Sequence, residues 1–451
     1  MSNEAMSDRD AVRSEPIANP SGKRIVLATF GSLGDIHPYI AIGLELKARG
    51  HRPILATSGY YREKVEALGL GFHAVRPDAP DMADLPTFMA ALISLSKGPE
   101  VVIRQNFMPF LRETYDDLTE AVRGADLLVG HSLTFPARLV AEVQGLLWAS
   151  SVLAPIAFFS PFDPSIPPQA SWLGKLRGLG PWFHKPLYRF AKGTTRRWAE
   201  PWHQLRAELG LPPTSDNPIF EGQHAPALVL VLFSEVLAAP QPDWPPNVRV
   251  TGFPLYDQEP GSHRLPEELE RFRNAGPPPI VFTLGSSAVW TARDFYQRAA
   301  ETARMLGRRA VLLIGPDERN RAGLENSEAI AAFEYAPYSE LFPRCSAIVH
   351  QGGIGTTAQA LRSGRPMLVV PFAFDQPDNA DRVARLGVSR VLPLRRFSPR
   401  RAAEELRRLL DDPSYATRAG EIGRRIQAED GARAASDAIE SLLGVGGRGP
   451  V

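Results

Sequence analysis

The hydrophobic positions of this chain form short apolar runs that alternate with helical repeats. The runs predict strands, and apolar residues three and four positions apart predict helices between them. In the first half, strands are predicted at residues 24–30, 54–57, 72–75, 127–130, 147–153, 228–233 and 248–251, and helices at 39–49, 61–68, 84–96, 100–123, 137–144 and 193–209. This alternation is typical of an α/β fold in which a parallel sheet carries helices on both faces.

The alternation starts again after residue 279, and the chain of 451 residues is too long for one ordinary core. The second half has predicted strands at 280–283, 310–314, 331–335, 346–350 and 366–370, helices at 293–306, 338–344, 356–363, 399–411 and 414–443, and a polar loop at 371–381. We therefore predict two Rossmann-like, doubly wound domains at 23–255 and 280–424, joined by a proline-rich linker at 256–279. Residues 1–22 and 445–451 are predicted to be a disordered leader and a flexible tail.

Composition narrows the class of protein. The 51 basic and 50 acidic residues nearly balance, which argues against a partner bound through a phosphate-neutralising surface, such as nucleic acid. Cys345 is the single cysteine, so no internal disulfide can form, and a reducing, cytoplasmic setting is expected. We expect neither a signal peptide nor a spanning helix, because the most apolar run, 225–239, is short and contains Ser234 and Glu235. Any membrane contact would be peripheral.

A glycine-rich turn at 350–357 carries the strongest signal for a ligand. Glycines let the backbone approach an anion closely, and the start of a helix offers unpaired N–H groups to a phosphate. The turn contains Gly352, Gly353 and Gly355, the hydroxyls of Thr356 and Thr357 lie at the predicted helix start, and His350 ends the preceding strand. Asp375 and Gln376 follow the next strand and suit sugar hydroxyls. The alternative is a glycine-rich turn without a ligand.

A second candidate region lies between residues 131 and 190. The strand at 127–130 runs into His131 and Phe135, and residues 154–190 are rich in proline and aromatic residues, among them Phe158, Phe159, Phe162 and Trp172. Long loops within a compact domain are often functional, and an aromatic pocket suits a lipophilic small molecule. These side chains are therefore candidates for acceptor binding, and packing into a satellite core is the alternative.

Two motifs resemble a known family. GSLGDIHPYIAIGLELKARGH at 31–51 and HQGGIGTTAQALRSGRPMLVVPFAFDQPDNA at 350–380 are similar to the inverting, metal-independent glycosyltransferases of the GT-B fold, in the branch that contains sterol and glycopeptide-antibiotic glycosyltransferases. Residues 240–257 and 335–355 resemble the rhamnosyltransferases of rhamnolipid biosynthesis. The resemblance runs from about residue 23 to about residue 444. It implies that the last helix, 425–444, packs back on the N-terminal, acceptor-binding domain.

The resemblance also implies roles for individual residues. His350 would contact the diphosphate of a nucleotide-sugar donor, with Gly355 and Thr356 at the helix start. Asp375 and Gln376 would bind the sugar. Ser286 and Ser287 would reach the phosphate from the other side, and Tyr335 and Ala336 would lie at the nucleobase. Ala358 departs from the plant branch, where a glutamate binds the ribose. No cofactor is implied beyond the substrate, which is a UDP- or dTDP-linked hexose.

Asp35 matches the position of the catalytic base in this family. Transfer from a nucleotide sugar needs a base to take the proton of the acceptor hydroxyl. His37 is a rival base and His131 could orient Asp35, whereas a purely structural Asp35 would cap the following helix. We expect no metal site: Asp8 and Asp10 form an Asp-x-Asp pattern only in the leader, and the carboxylates at 375, 378 and 381 have no histidine beside them.

Three other functions are weighed against this one. An NAD-dependent oxidoreductase would need a third glycine after Gly31 and Gly34 and an acidic residue after the second strand, and the sequence has neither. A nucleotide-sugar epimerase would share the two-domain architecture without needing an aromatic acceptor region. A non-catalytic, glycosyltransferase-like partner protein would not need to keep Asp35 together with the set His350, Asp375 and Gln376. The sugar, its nucleotide and the acceptor (sterol, hydroxy-fatty acid or lipid, polyketide, flavonoid) stay open.

Overall fold

The computed structural model describes residues 22–78, 85–92, 98–257 and 264–444. The predicted disordered leader (except residue 22), the flexible tail and the ends of the helix predicted at 84–96 lie outside these residues. Within them, the chain forms two separate sheets, of seven and six strands, and every strand pair is parallel. The prediction of two doubly wound α/β units is confirmed.

The N-terminal sheet has the strand order β3-β2-β1-β4-β5-β6-β7. Its strands are β1 (Arg24–Ala28), β2 (Arg52–Thr57), β3 (Gly71–Ala74), β4 (Leu127–His131), β5 (Trp148–Val152), β6 (Val229–Val231) and β7 (Val248–Val250). Its helices are α1 (Leu33–Ala48), α2 (Arg62–Ala67), α3 (Leu85–Leu92), α4 (Gly98–Glu100), α5 (Leu111–Ala121), α6 (Ala137–Gln144), α7 (Pro181–Thr195) and α8 (Glu200–Glu208). A π-helical turn at Val101–Phe107 joins α4 to a 3₁₀ turn that leads into α5.

The C-terminal sheet has the order β10-β9-β8-β11-β12-β13. Its strands are β8 (Ile280–Thr283), β9 (Ala310–Leu313), β10 (Ile330–Phe333), β11 (Ala347–His350), β12 (Met367–Val369) and β13 (Ser389–Val391). The helices are α9 (Glu267–Asn274), α10 (Gly285–Ala288), α11 (Phe295–Leu306), α12 (Tyr338–Leu341), α13 (Ile354–Ser363), α14 (Gln376–Arg385), α15 (Pro399–Asp411), α16 (Pro413–Gln427) and α17 (Gly431–Leu442). In both sheets the strand order reverses beside the first strand, which opens a crevice at the carboxyl ends of the strands.

The alternation of side chains in each strand builds the core on both faces of the sheets. In β1, Ile25 and Leu27 pack in one buried cluster, whereas Val26 and Ala28 pack in the cluster on the opposite face. Because both faces are covered by helices, the strands are apolar throughout rather than alternating with polar residues. This double burial explains why the strands could be found from short continuous apolar runs.

Several predicted boundaries were wrong, and proline explains most of them. Helix α7 begins at Pro181, inside the segment predicted as a loop up to residue 190, and α14 begins at Gln376, inside the loop predicted at 371–381. Helix α9 lies within the predicted linker and follows Pro266. Proline stabilises the first turn of a helix, where its missing N–H costs nothing, so these proline-rich segments are helix starts. The segment 414–443 forms two helices, α16 and α17, and β13 was not predicted.

The two halves meet at several places, and two of them lie at the ends of α1. Helix α17 packs against α1, where Ala435 and Ile439 join the N-terminal core and Arg49 contacts the carboxylates of Asp437 and Glu440 at 2.6 Å. At the other end of α1, a Cβ added at Gly355 would lie 3.5 Å from the Cα of Gly34. The first turns of α1 and α13 therefore approach each other almost backbone to backbone.

Gly431 allows the start of α17 to cross the segment after β7. A Cβ at this position would lie 2.4 Å from the carbonyl carbon of Phe253. We therefore expect Gly431→Ala to lower the melting temperature, because backbone on both sides must move to admit a methyl group. The matched control is Gly193→Ala in α7, where a Cβ meets nothing within 4 Å. That change should be neutral or stabilise the protein by about 0.5–1 kcal/mol. Equal melting temperatures for the two variants would contradict this view of the crossing.

Candidate active site

The candidate site lies where the carboxyl ends of the two sheets face each other. In the N-terminal half, β1 ends at Ala28, and α1 begins after Ser32, its N-cap. Asp35 is the third residue of α1, and its Oδ2 accepts hydrogen bonds from the N–H (2.9 Å) and the hydroxyl (3.4 Å) of Ser32. Gly31 lies directly beside this carboxylate, since a Cβ added there would lie 2.2 Å from Oδ2. The turn therefore holds the Asp35 carboxylate in one place.

Burial changes the acidity of Asp35. The side chain is half-buried in the cleft, and the loss of hydration raises its pKa to about 6, although the hydrogen bonds from Ser32 act in the opposite direction. A carboxyl group with a pKa near 6 is mostly ionised at neutral pH and is a stronger base than an ordinary aspartate. This combination suits a general base that works near pH 7.

In the C-terminal half, the turn between β11 and α13 presents free backbone donors. The N-cap of α13 is Gly353, which has no side chain to accept hydrogen bonds from the first turn. Gly352 has φ of 91°, and a Cβ there would lie 2.8 Å from Val369. The glycines therefore serve two needs, an unusual backbone angle and an open helix start, and the positive end of α13 points into the cleft.

Three buried polar atoms around this turn have no hydrogen-bond partner among the described residues. They are the Oε1 atom of Gln351, the Oγ1 atom of Thr357 and the Oδ1 atom of Asn379. Unpaired buried polar atoms are costly and are often explained by a ligand or water. Their clustering at one turn supports a polar ligand there. Sequence reasoning missed Gln351 and Asn379, although both fall within the motif that it quoted.

Asp375 and Gln376 lie beside the turn, but they act differently. Asp375 is half-buried and accepts a hydrogen bond from Asn379 Nδ2 at 2.7 Å. Burial raises its pKa to about 7, and the charge of Asp35 across the cleft adds to this rise. Gln376 is buried, and its Oε1 accepts the N–H groups of Phe372 and Ala373. That oxygen therefore holds the turn before α14 and is not available to a sugar hydroxyl.

The position of His350 corrects the predicted contact with a diphosphate. Its side chain is fully buried, Nδ1 accepts the N–H of Gly352, and Nε2 faces the sulfur of Met367 at 3.3 Å. Burial lowers the pKa of this imidazole to about 3, so the ring is neutral. In this structure His350 fixes the backbone of the glycine turn, and both ring nitrogens face groups of the protein itself.

The other residues predicted to bind the nucleotide-sugar donor surround the same turn. Ser286 and Ser287 lie in α10, next to Gly285, where a Cβ would lie 2.3 Å from Gln351 Nε2. Thr356 is buried and its Oγ1 accepts a hydrogen bond from the same amide nitrogen at 3.3 Å. Tyr335 is partly buried and donates to the carbonyl oxygen of Asp257. Ala336 and Ala358 are buried in the core and offer no side-chain donor.

The rings of His37 and His131 each pack against a tyrosine. The ring of His37 meets the edge of Tyr256 at 5.3 Å, and burial lowers its pKa to about 3. The ring of His131 meets Tyr39 edge-on at 6.3 Å, and burial lowers its pKa to about 4. Within the described residues, neither ring forms a hydrogen bond with Asp35. His131 therefore does not orient Asp35 through a direct hydrogen bond, whereas His37 as a rival base and His131 as a residue that orients the acceptor stay predictions.

The aromatic candidates divide into core and surface residues. Phe135 is buried against Phe107 in a core cluster, and Phe158 stacks on Trp244 with ring centroids 4.0 Å apart. Phe159 is partly buried, with φ of 49°, and packs against Phe220 and Tyr188. Phe162 and Trp172 are 40% and 59% exposed. Phe135 therefore packs in the core, which argues against its predicted contact with an acceptor. Phe158 is partly buried against the core, and acceptor binding by Phe158, Phe159, Phe162 and Trp172 stays a prediction.

An ionic cluster ties the aromatic region to the helix that follows Asp375. Arg177 contacts Asp163 at 2.5 Å and Asp381 of α14 at 2.7 Å, and Arg382 of α14 also contacts Asp163. Asp378 is fully buried, pairs with Arg382 and accepts the N–H of Ile166 at 2.9 Å. The N-terminal half is therefore fastened to α14 beside the cleft. Sequence reasoning had weighed two of these aspartates only as metal ligands.

The described part of the chain contains neither a metal-binding cluster nor a membrane-spanning helix. No group of three or more His, Cys, Asp or Glu side chains in that part of the chain is arranged to hold a metal ion. No helix among those residues has the length and apolar character needed to cross a bilayer.

Solved structures share this architecture. The calicheamicin glycosyltransferase CalG4 superposes with a TM-score of 0.67 at 18% identity, covering 94% of this chain and 98% of that one. The glycosyltransferase VinC, solved in complex with dTDP, gives a TM-score of 0.64 at 20% identity, with 94% and 100% covered. These likenesses concern the fold: two facing Rossmann-like sheets with a cleft between them define the GT-B class of glycosyltransferase.

Sequence comparison gives the family. Residues 25–114 match the glycosyltransferase family 28 N-terminal domain, and residues 309–437 match the erythromycin biosynthesis protein CIII-like C-terminal domain. The O-mycaminosyltylonolide 6-deoxyallosyltransferase of Streptomyces fradiae is 33% identical over 426 residues, 92% of this chain and 97% of that protein. The sterol 3-beta-glucosyltransferase of Candida albicans is 28% identical over 437 residues, 93% of this chain and 28% of that protein.

The chain belongs to the family 28, CIII-like glycosyltransferases, and the resemblance found in the sequence is confirmed. It is an enzyme that transfers a sugar from a nucleotide-linked donor to a small-molecule acceptor. We treat the catalytic base, the contacts to the nucleotide sugar, the transferred sugar and the acceptor as proposals.

Asn379 connects the glycine turn to Asp375, because its Nδ2 donates to Gly352 O (2.9 Å) as well as to the carboxylate. We expect Asn379→Ala to lower the free energy of unfolding by about 2 kcal/mol and to raise KM for the donor several-fold. The control is Asn320→Ala, because Asn320 is buried and its Nδ2 also donates twice, to Val289 O and Ile314 O. It should lose similar stability without a matching rise in KM. If both variants changed KM alike, Asn379 would have only a structural role.

Proposed function

We propose that this protein is an inverting, metal-independent hexosyltransferase that uses a UDP- or dTDP-linked sugar and glycosylates a hydroxyl group of a lipophilic small molecule. The observation that carries the proposal is the placement of the Asp35 carboxylate opposite the open start of α13. A base on one half thus faces an anion site on the other, as a single displacement at C1 of a nucleotide sugar requires.

In the proposed reaction, the ionised carboxylate of Asp35 takes the proton of the acceptor hydroxyl as its oxygen attacks C1 of the sugar. The bond between C1 and the diphosphate oxygen breaks, and its electron pair leaves with the nucleotide diphosphate. Because attack and departure occur on opposite faces in one step, the anomeric configuration inverts. An acceptor hydroxyl is far too weak an acid to ionise at neutral pH, so this proton transfer is needed and is typically worth roughly 10²–10⁴-fold.

The leaving diphosphate gains negative charge as the bond breaks. The free N–H groups at the start of α13 and the hydroxyls of Thr356, Ser286 and Ser287 are suited to hold it. Fixed dipoles in a cleft stabilise developing charge without reorganising at the moment of reaction. Two buried oxygens lack partners among the described residues, those of Gln351 and Thr357. They would accept hydrogen bonds from the nucleotide sugar or from water beside it. His350 contributes indirectly, by fixing the N–H of Gly352.

Asp375 is the proposed contact to the sugar hydroxyls. Asn379 occupies its Oδ2, and the residue is only half-buried at the cleft. Phe374, the preceding residue, has φ of 55°, an unfavourable backbone conformation for a bulky residue that is found more often at functional sites. We propose that the Gln376 oxygen maintains this loop while its amide nitrogen is left for the sugar. The nucleobase would lie near Tyr335 and Ala336, with backbone groups replacing the missing ribose-binding glutamate at Ala358.

Relatives bear on the choice of substrates. The Streptomyces fradiae relative, by name, transfers a 6-deoxyhexose to O-mycaminosyltylonolide, and VinC was solved with dTDP. We therefore favour a dTDP-linked deoxyhexose over UDP-glucose as donor and a macrolide-like polyketide over a sterol as acceptor. Because the Candida albicans relative is by name a sterol glucosyltransferase, UDP-glucose and a sterol stay the alternative donor and acceptor. A thermal-shift panel of dTDP-rhamnose, dTDP-glucose and UDP-glucose would separate the donors.

Replacing Asp35 tests the proposed base. Asp35→Asn keeps the size of the side chain and an oxygen that can accept the N–H of Ser32, so the start of α1 should persist. We expect kcat to fall by roughly two orders of magnitude or more, with little change in donor affinity. The control is Asp430→Asn, since Asp430 caps α17 by accepting the N–H of Arg433. Asparagine caps about as well as aspartate, so that variant should retain its activity.

Turnover is measured as release of nucleotide diphosphate with and without the acceptor alcohol, and donor affinity by calorimetry. An Asp35→Asn enzyme with most of its turnover would show that Asp35 is only a helix cap and would require another base.

A further inference from the structure

One segment of the N-terminal half carries an unusual charge. Residues 164–199 contain seven lysines and arginines and no aspartate or glutamate, in a chain whose formal net charge is only +1. Two of the seven are engaged: Arg177 lies in the ionic cluster, and Lys192 pairs with Glu221 at 2.6 Å. Lys175, Lys185, Arg189, Arg196 and Arg197 form no ion pair with any residue that the structure describes. A net positive surface therefore lies on this segment.

Helix α7 presents large apolar side chains on the same surface. Its exposed residues include Trp182, Lys185, Pro186, Arg189 and Phe190, which recur at intervals of three and four and so share one face. Trp182 is 73% and Phe190 69% exposed. The opposite face packs inward: His184 is buried, with Nε2 3.1 Å from the carbonyl oxygen of Leu176. The orientation of α7 is thus fixed by packing, and its aromatic residues point to solvent.

The neighbouring 3₁₀ segment, Pro168–Leu179, extends this surface with Trp172, Lys175 and Leu179. Five of the ten large apolar side chains that are exposed in the described residues lie between positions 162 and 190. Single exposed apolar residues are ordinary, but a cluster of this kind marks an interaction surface. We call the exposed side chains of Trp172, Lys175, Leu179, Trp182, Lys185, Arg189 and Phe190 the aromatic–basic face.

We infer that the aromatic–basic face docks on the surface of an anionic lipid bilayer. Tryptophan and phenylalanine insert into the boundary between headgroups and acyl chains, and lysine and arginine are attracted to anionic headgroups. Charge complementarity selects this occupant: a second copy of the same face would bring together two surfaces of like charge. Docking of this kind is peripheral and needs no spanning helix.

The face adjoins the cleft through the ionic cluster, because Arg177 of the same 3₁₀ segment contacts Asp381 of α14. If the proposed function holds, a lipophilic acceptor dissolved in the bilayer would be delivered near the side of the cleft that binds it. This consequence rests on the proposed function, whereas the docking itself does not.

The test is flotation of the full chain with vesicles of phosphatidylcholine and phosphatidylglycerol (7:3) and with vesicles of phosphatidylcholine alone. We expect binding to the anionic vesicles that weakens at high salt, and little binding to the neutral ones. The double variants Trp182→Ser/Phe190→Ser and Lys185→Glu/Arg189→Glu should each reduce vesicle binding by roughly tenfold or more. Their melting temperatures should match the wild type, because these side chains are exposed.

The matched control is a triple variant at the C-terminal end of α11 and just beyond it, Arg304→Glu/Met305→Ser/Arg308→Glu, whose side chains are also exposed. It should bind the anionic vesicles like the wild type. Equal losses in control and test variants, or no wild-type binding to anionic vesicles, would overturn the inference. So would a face-dependent dimer in light scattering, or displacement from vesicles by stoichiometric single-stranded DNA. Turnover of a water-soluble acceptor should be unchanged in the test variants, so failure of docking and failure of the glycosyltransfer proposal are distinguishable.

Discussion

The close approach of two helix starts across the cleft is the constraint on which the rest of the site depends. Gly34 of α1 and Gly355 of α13 lie close together. Moving either helix start away from the other would therefore also move Asp35 away from the anion site. Helix α17 maintains the approach, since it leaves the C-terminal half and packs on α1 through Ala435 and Ile439. The ionic cluster around Arg382 fastens the halves on the other side.

Burial then gives the site its chemistry. The same loss of hydration raises the pKa of the two carboxyl groups and lowers the pKa of the three histidines that were candidates. Buried, neutral imidazoles such as that of His350 shape the backbone. The carboxyl groups retain some exposed surface and can exchange protons with a substrate. Burial in the cleft therefore separates the roles of the two residue types. The histidines support the backbone and the carboxyl groups are available for proton transfer, although either type could have served as a base.

The sequence predicted what depends on local pattern. Asp35 after the first strand, the glycines around position 353 and both sheets follow from apolar periodicity and turn chemistry. Side-chain direction does not follow from these signals: His350 turns inward toward Met367, and Gln376 binds its own loop. Asn379 was missed because its partners, Gly352 and Asp375, are brought together only by the fold. Phe135 has the right type for a lipophilic pocket, but tertiary packing uses it in the core.

The pH dependence of kcat/KM tests most directly the claim that a buried carboxylate in this cleft is the base. Asp35 must be ionised to accept a proton, and burial raises its pKa to about 6. Activity should therefore be fully present above this pKa and fall tenfold per pH unit below it, in an acid limb centred near pH 6. In Asp35→Asn that limb should be lost or displaced, because Asp375, whose pKa burial raises to about 7, is then the only one of the two carboxyl groups that titrates in this range. A wild-type profile that is flat from pH 5 to 8, or an unchanged limb in the variant, would contradict the account.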